Sequence, residues 1–248
     1  MMLLTPARRR GVEILDDPST DAALAVRSLR DVAKANLLFG GRRAIVSELE
    51  RLMLGSQPSA TLLDVGTGLG DIPASASARL GQKRVSLTTI GVELDGALAR
   101  EAAAHCTYAV VGSAMQLPFR TGSIDFVTCS QVLHHFAGNE AVALIRECTR
   151  VARQAVIVGD LRRSWFAVAG LWASSFLLGF HPVSRHDGIV SILRGFTVAD
   201  LTELVHRSTG IDPRVRKRLG WRVTAVWQPV SQPVSQPVSP QQQRTEPA

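Results

Sequence analysis

Leu62-Leu63-Asp64-Val65-Gly66-Thr67-Gly68-Leu69-Gly70-Asp71 is the stretch that decides the fold of this chain. The apolar run from Ala60 to Val65 has the length and composition of a strand buried on both faces. It breaks into glycines at alternate positions, then into a stretch rich in Ala, Ser and Leu that reads as helix. A strand, a glycine turn and a helix form the first unit of a nucleotide-binding α/β sheet. Glycine lets the backbone turn sharply and leaves no Cβ between main chain and ligand. A dinucleotide site calls for G-x-G-x-x-G, but here the third glycine comes one residue early and Asp71 stands where that pattern has Gly. The carboxylate of Asp64, just before the turn, suits a ligand with a cationic end better than a pyrophosphate.

Further landmarks follow along the chain. Val85 to Ile90 is β-rich and closes in Gly91-Val92-Glu93-Leu94-Asp95. Next come Val110 to Phe119, with Gly112-Ser113-Ala114 and Leu117-Pro118-Phe119, then Gly122 to Val127 and Gln131-Val132-Leu133-His134-His135-Phe136. Gln154 to Asp160 is a fifth strand running into the basic turn Leu161-Arg162-Arg163-Ser164. Arg214 to Leu219 and Trp221 to Trp227 alternate as a hairpin around Gly220. Before the glycine turn, helical patterning runs from Thr20 to the Gly40-Gly41 stop, and again from about Arg42 to Leu54, ending at Gly55.

These segments, in this order, resemble the class I S-adenosylmethionine-dependent methyltransferases over residues 20–228, most closely the small-molecule branch that includes quinone-biosynthesis and phenolic-lipid or polyketide-associated enzymes. The resemblance implies a Rossmann-like, doubly wound seven-stranded sheet with an antiparallel last strand. It also implies N-terminal helices and a helical lid insertion before the final hairpin. S-adenosylmethionine is the cofactor expected, held by Asp64, Gly66, Thr67, Gly68, Gly70, Glu93, Leu94, Ser113, Ala114 and Ser130. Glu93 would take both ribose hydroxyls, since a carboxylate accepts two hydrogen bonds at once. Ser113 departs from the family's Asp, so its hydroxyl offers the adenine an uncharged acceptor. Ala35 to Gly41 resembles a recurring element of these relatives and makes Asn36 a further candidate contact.

The implied organisation is a flexible leader at 1–19 and one methyltransferase domain at 20–228. Within the domain lie N-terminal helices (20–59), a cofactor-binding core (60–160), an apolar lid or substrate segment (161–197), and a last helix with the closing hairpin (198–228). A disordered Gln/Pro/Val/Ser tail follows at 229–248, where proline at every fourth position prevents helix and sheet. Trp165 to Phe180 is almost wholly apolar. A helix apolar all round is buried, covers a greasy pocket or touches a membrane surface peripherally, and it is too short to span a bilayer. His181 to Thr197 reads as a polar site loop or a well-solvated turn, and Thr197 with Asp200 as a capping box opening a helix that stops at Gly210.

The formal charge of +7 comes almost entirely from scattered arginine, with lysine only at 34, 83 and 217. No nucleic-acid module accompanies it, so no specific nucleic-acid partner is expected. Cys106, Cys129 and Cys148 have neither C-x-x-C spacing nor an even count, so no metal site or disulfide framework is implied, and a reducing, cytoplasmic setting is expected. The function expected is methyl transfer to an apolar small-molecule acceptor, at oxygen more than carbon, in secondary metabolism. An RNA or protein methyltransferase and a non-catalytic cofactor-binding relative are the alternatives. A hydroxyl acceptor must lose a proton, which histidine is suited to take. His134, His135 and His186 are the candidates, at most one acting as base, and each also reads as a structural hydrogen-bonded residue.

Overall fold

The computed structural model describes residues 5–17, 19–53 and 58–230. The expected stop at Gly55, the start of the leader and residues 231–248 of the tail lie outside these residues. Two helices lead: α1 (Ala22–Leu38), capped by the Asp21 carboxylate accepting from the Leu24 N–H, and α2 (Gly41–Met53). The expected core then unfolds in order: β1 (Ser59–Val65), α3 (Asp71–Gly81), β2 (Ser86–Glu93), α4 (Gly96–Ala102) and β3 (Tyr108–Val111). It continues through β4 (Ile124–Ser130), α5 (Gly138–Val151) and β5 (Ala152–Leu161). After α6 (Trp165–Leu177), α7 (Pro182–Arg194) and α8 (Val198–Thr209), the chain closes with β6 (Arg214–Arg218) and β7 (Arg222–Trp227).

The seven strands lie in the order β3-β2-β1-β4-β5-β7-β6. β1 to β5 are parallel, while β7 runs antiparallel between β5 and β6. Chain order reverses between β1 and β4, and such a reversal opens a crevice at the carboxyl ends of the two strands.

Alternation along the strands builds two cores, because successive side chains point to opposite faces. Leu63, Val65, Val127, Cys129, Val156 and Val158 pack with Leu144, Ile145 and Cys148 of α5 and Leu201 and Val205 of α8. Leu62, Phe126, Ala155 and Ile157 pack with Ile45 and Leu49 of α2 and Ile72, Ala76 and Leu80 of α3. The hairpin turn carries Gly220 at φ +67, against which the Phe39 carbonyl sits so closely that any Cβ would fall 1.9 Å from its oxygen.

Two expectations are corrected. The polar stretch 181–197 is mostly the helix α7, capped by the His181 side chain, and its polar residues serve as fasteners rather than as a loop. The Asp187 carboxylate accepts from the Ile14 and Leu15 N–H groups, and Ser184 donates to Asp31 of α1. Residues 5–17 are accordingly no loose leader. The Arg9 N–H donates to the Leu193 carbonyl, Arg163 to the Pro6 carbonyl, and Arg194 pairs with Glu13 and Asp16.

Candidate functional site

At the end of β1, Asp64 is buried, its two oxygens accepting from the hydroxyls of Thr67 (2.9 Å) and Thr128 (2.7 Å). The next residues fold back on β2, with the N–H groups of Gly66 and Thr67 donating to the Val92 carbonyl. The three glycines have separate duties. Gly66, at φ +67, lets Val132 approach so closely that a Cβ would lie 2.5 Å from its Cγ2. Gly68, at φ +56, faces open space. Gly70, at φ +75, packs against His105 and opens α3.

Asp64, Gly66, Thr67, Gly68, Leu69 and Asp71 form one wall of a cavity of about 90 Å³. Ser130, Gln131 and Val132, at the end of β4, form the second wall. Leu29, Val32, Ala33 and Asn36 of α1 close it. This is the crevice that the strand order opens. α7 packs on α1, so the α6–α7 insertion adjoins the pocket through the helix that covers it.

Outside the cavity, the Glu93 carboxylate accepts from the Gly68 N–H (2.9 Å) and the Leu94 N–H (2.8 Å), which fixes its direction beside the glycine turn. Leu94 is exposed. Ser113 and Ala114 follow β3, and the Ser113 hydroxyl accepts the Met115 N–H (3.2 Å), a local turn bond. Asp71, Leu69, Gln131, Val132 and the apolar residues of α1 were not singled out in the sequence.

The polar wall is rich in acid. Burial pushes the Asp64 carboxyl up to about 7, the two threonine hydrogen bonds opposing and the charges of Asp71 and Glu93 adding to it. Burial likewise raises Asp71, whose Oδ2 has no hydrogen-bond partner. The Asn36 Oδ1 is also buried without a partner. Such groups are costly unless a donor or cation meets them.

The histidines lie just beyond the second wall, in the 3-10 turn Leu133–His135. His134 is buried, with Nδ1 2.8 Å from Asp160 Oδ1 and its backbone N–H donating to Asp160 Oδ2. Burial alone would raise the Asp160 carboxyl, yet His134 holds it below its ordinary value; an ionised carboxylate only accepts, so Nδ1 donates in this contact. Nε2 has no hydrogen-bond partner and lies 3.8 Å from Glu13 Oε1. His135 stacks on His134 at 4.2 Å and bonds Asp16 (3.1 Å). Burial opposes its protonation, but Asp16 and the charges of Glu13 and Asp160 raise its pKa overall. Glu13, His134 and His135 bring donor atoms within 4.8 Å of one another, and Arg194, 3.0 Å from Glu13, already supplies a cation there. His186 lies on α7 outside the cavity lining, bonded to Asp187 at 2.9 Å.

Residues 63–158, spanning β1 to β5, match the family described as a methyltransferase domain. Over these residues the chain is similar to methyltransferases. The chain is 27% identical over 104 residues to an uncharacterised methyltransferase of Schizosaccharomyces pombe, a match covering 42% of this chain and 40% of that protein. The chain thus spans two fifths of that relative's length. Its fold is shared by a SAM-dependent methyltransferase from Aquifex aeolicus (TM-score 0.58, 15% identity, 85% of this chain and 100% of that one). It is shared too by magnesium protoporphyrin IX methyltransferase from Synechocystis PCC 6803 with bound S-adenosylhomocysteine (TM-score 0.53, 15% identity, 86% and 90%). A third likeness is a putative O-methyltransferase from Nostoc punctiforme (TM-score 0.58, 16% identity, 88% and 64%).

The residues present fit S-adenosylmethionine. The unpartnered acceptor of Asp71, with Asp64 in the same wall, suits an ammonium and a sulfonium. The open face of Gly68 admits a ligand against the main chain, and the fixed Glu93 carboxylate suits a vicinal diol.

Proposed function

We propose that this protein transfers a methyl group from S-adenosylmethionine to an apolar small-molecule acceptor, a phenol, quinol or polyketide-like molecule, at oxygen rather than carbon. The observation that carries this reading is the two-sided pocket, acidic along the glycine turn and apolar along α1. When bound, the cofactor supplies an electrophilic methyl on positively charged sulfur. Asp64 and Asp71 would hold its cationic end and Glu93 its ribose. Leu29, Val32 and Ala33 would exclude water and accept an apolar partner, alignment and dryness being what a displacement of this kind needs from a protein.

Removing the acceptor's proton falls to one histidine. His134 has the arrangement for it, with Nδ1 locked by Asp160 and Nε2 left as the acceptor. His135 is engaged by Asp16 and Arg194, and His186 by Asp187, which supports structural roles for both. A small-molecule acceptor is in keeping with the magnesium protoporphyrin IX enzyme that shares the fold. The basic cluster Arg214 to Arg218 speaks less for nucleic acid than its sequence suggests, since Arg214 and Arg218 both pair with buried Glu48.

Calorimetric titration with S-adenosylhomocysteine, with NADH as control, tests the reading. Binding of the first alone, weakened about tenfold or more in Glu93→Ala through loss of a charge-assisted pair, is expected. Labelled methyl transfer to alkylphenols and quinols but not to RNA would complete it. A folded protein that binds no S-adenosylhomocysteine, or that labels only RNA, would overturn it.

A further inference from the structure

We propose that the outward face of α6 docks the protein on an anionic lipid bilayer. α6 packs on α7 through Ala167, Leu171 and Ser175, with Leu171 seated on Gly188. Its other side presents Trp165, Phe166, Trp172, Phe176 and Leu177, which are 42 to 89% exposed. Nothing among the described residues buries them. Isolated exposed apolar residues are ordinary, but five large ones on thirteen helical residues form a patch of the kind that meets a partner.

The charge around the patch names that partner. Arginines stand at both ends of the helix, the Arg9 guanidinium 5.9 Å from the Trp165 ring and the Arg185 guanidinium 3.6 Å from the Phe176 ring. No carboxylate occurs between Asp160 and Asp187; Arg163 is buried and paired with Asp200, so Arg9 and Arg185 are the cations that flank the patch. A second copy placed face to face about a two-fold axis would set these arginines against their own kind, with no acid in the segment to meet them. A bilayer with anionic headgroups answers both features. Tryptophan, phenylalanine and leucine enter the headgroup boundary while arginines reach the phosphates. A helix of thirteen residues extends only about 20 Å, so it lies in the interface and does not span. No helix among the described residues is long and apolar enough to cross a membrane.

Co-sedimentation of the full chain with vesicles of phosphatidylcholine, alone or mixed with phosphatidylglycerol, tests this. The expected result is binding to the mixed vesicles that falls about tenfold or more without phosphatidylglycerol or at high salt. In the variant W172S/F176S/L177S it should fall similarly through lost apolar insertion, while S-adenosylhomocysteine binding persists. An independent readout on the unaltered protein is quenching of tryptophan emission by phosphatidylglycerol-containing vesicles with brominated acyl chains. The inference is overturned if the mixed vesicles bring down no protein, or bring down the variant as well as the parent. Unquenched emission would do the same, as would a dimer in lipid-free buffer that the variant abolishes. None of these outcomes touches the cofactor reading.

Discussion

Asp64 accepts two threonine hydrogen bonds and still titrates near neutrality, because burial and two neighbouring acids outweigh them. Its ordinary value is 3.8 and its folded value about 7, so the folded state holds the proton more tightly. Between those values stability falls as pH rises, and a cationic ligand acts the other way, favouring the charged form. Affinity for S-adenosylmethionine should therefore weaken as pH drops below about 7. Calorimetry in buffers of different ionisation enthalpy should register proton release on binding below that pH, and Asp64→Asn should abolish the release. At His134, Asp160→Asn should lower kcat about a hundredfold with little change in KM, the scale of a misaligned base; a change in KM alone would indicate a binding role. Glu93 was a candidate through the resemblance, which places an acid at the end of the second strand. Asp71 was not, since an acid in the first turn is what any helix start favours.

The strands declared themselves through short apolar runs and turn residues, and α8 through its capping box. α7 was hidden for a physical reason. Ser184, Asp187 and Ser191 point at neighbours rather than water, so buried polar groups fall where an amphipathic helix would carry apolar ones. α6 was legible as an apolar helix, but whether its outer face was covered depended on contacts distant in sequence. The pocket's third wall, from α1, was indicated only by Asn36, because Leu29 and Val32 read equally well as core. The closing hairpin offers the sharpest test at this scale. Gly220→Ala combines a left-handed backbone with a collision against the Phe39 carbonyl. Together these should cost about 2–4 kcal/mol. Thermal unfolding should shift down by roughly 5–10 °C, and Gly68→Ala, with open space around it, should shift it less.

Across the whole molecule, residues 8–16 fasten onto α7 and the histidine turn. His135 gains Asp16, Glu13 and Asp160 as acidic neighbours, with Arg194 beside it, and its pKa rises above 6.5. The stabilisation it contributes is complete below 6.5 and is lost as pH climbs through the raised value. Asp16 is depressed by His135 and Arg194, and its share persists down to the low end of the carboxylate range. Relative to the intrinsic, base-catalysed rate, hydrogen exchange of the Ile14 and Leu15 amides should thus be slowest in mildly acidic solution and quicken above neutrality. Asp187→Asn, which leaves the two N–H groups an uncharged acceptor, should quicken it at every pH.

That fastening also sets a timetable. The carboxylate that receives Ile14 is encoded 173 residues later, and ribosomes add about 5–20 residues per second. For roughly 10–30 s residues 8–16 wait with their anchor still unmade, while β1 to β5 can pair behind them. The histidine turn is covered only when α7 emerges, so residues 8–16 are made well before they find their place.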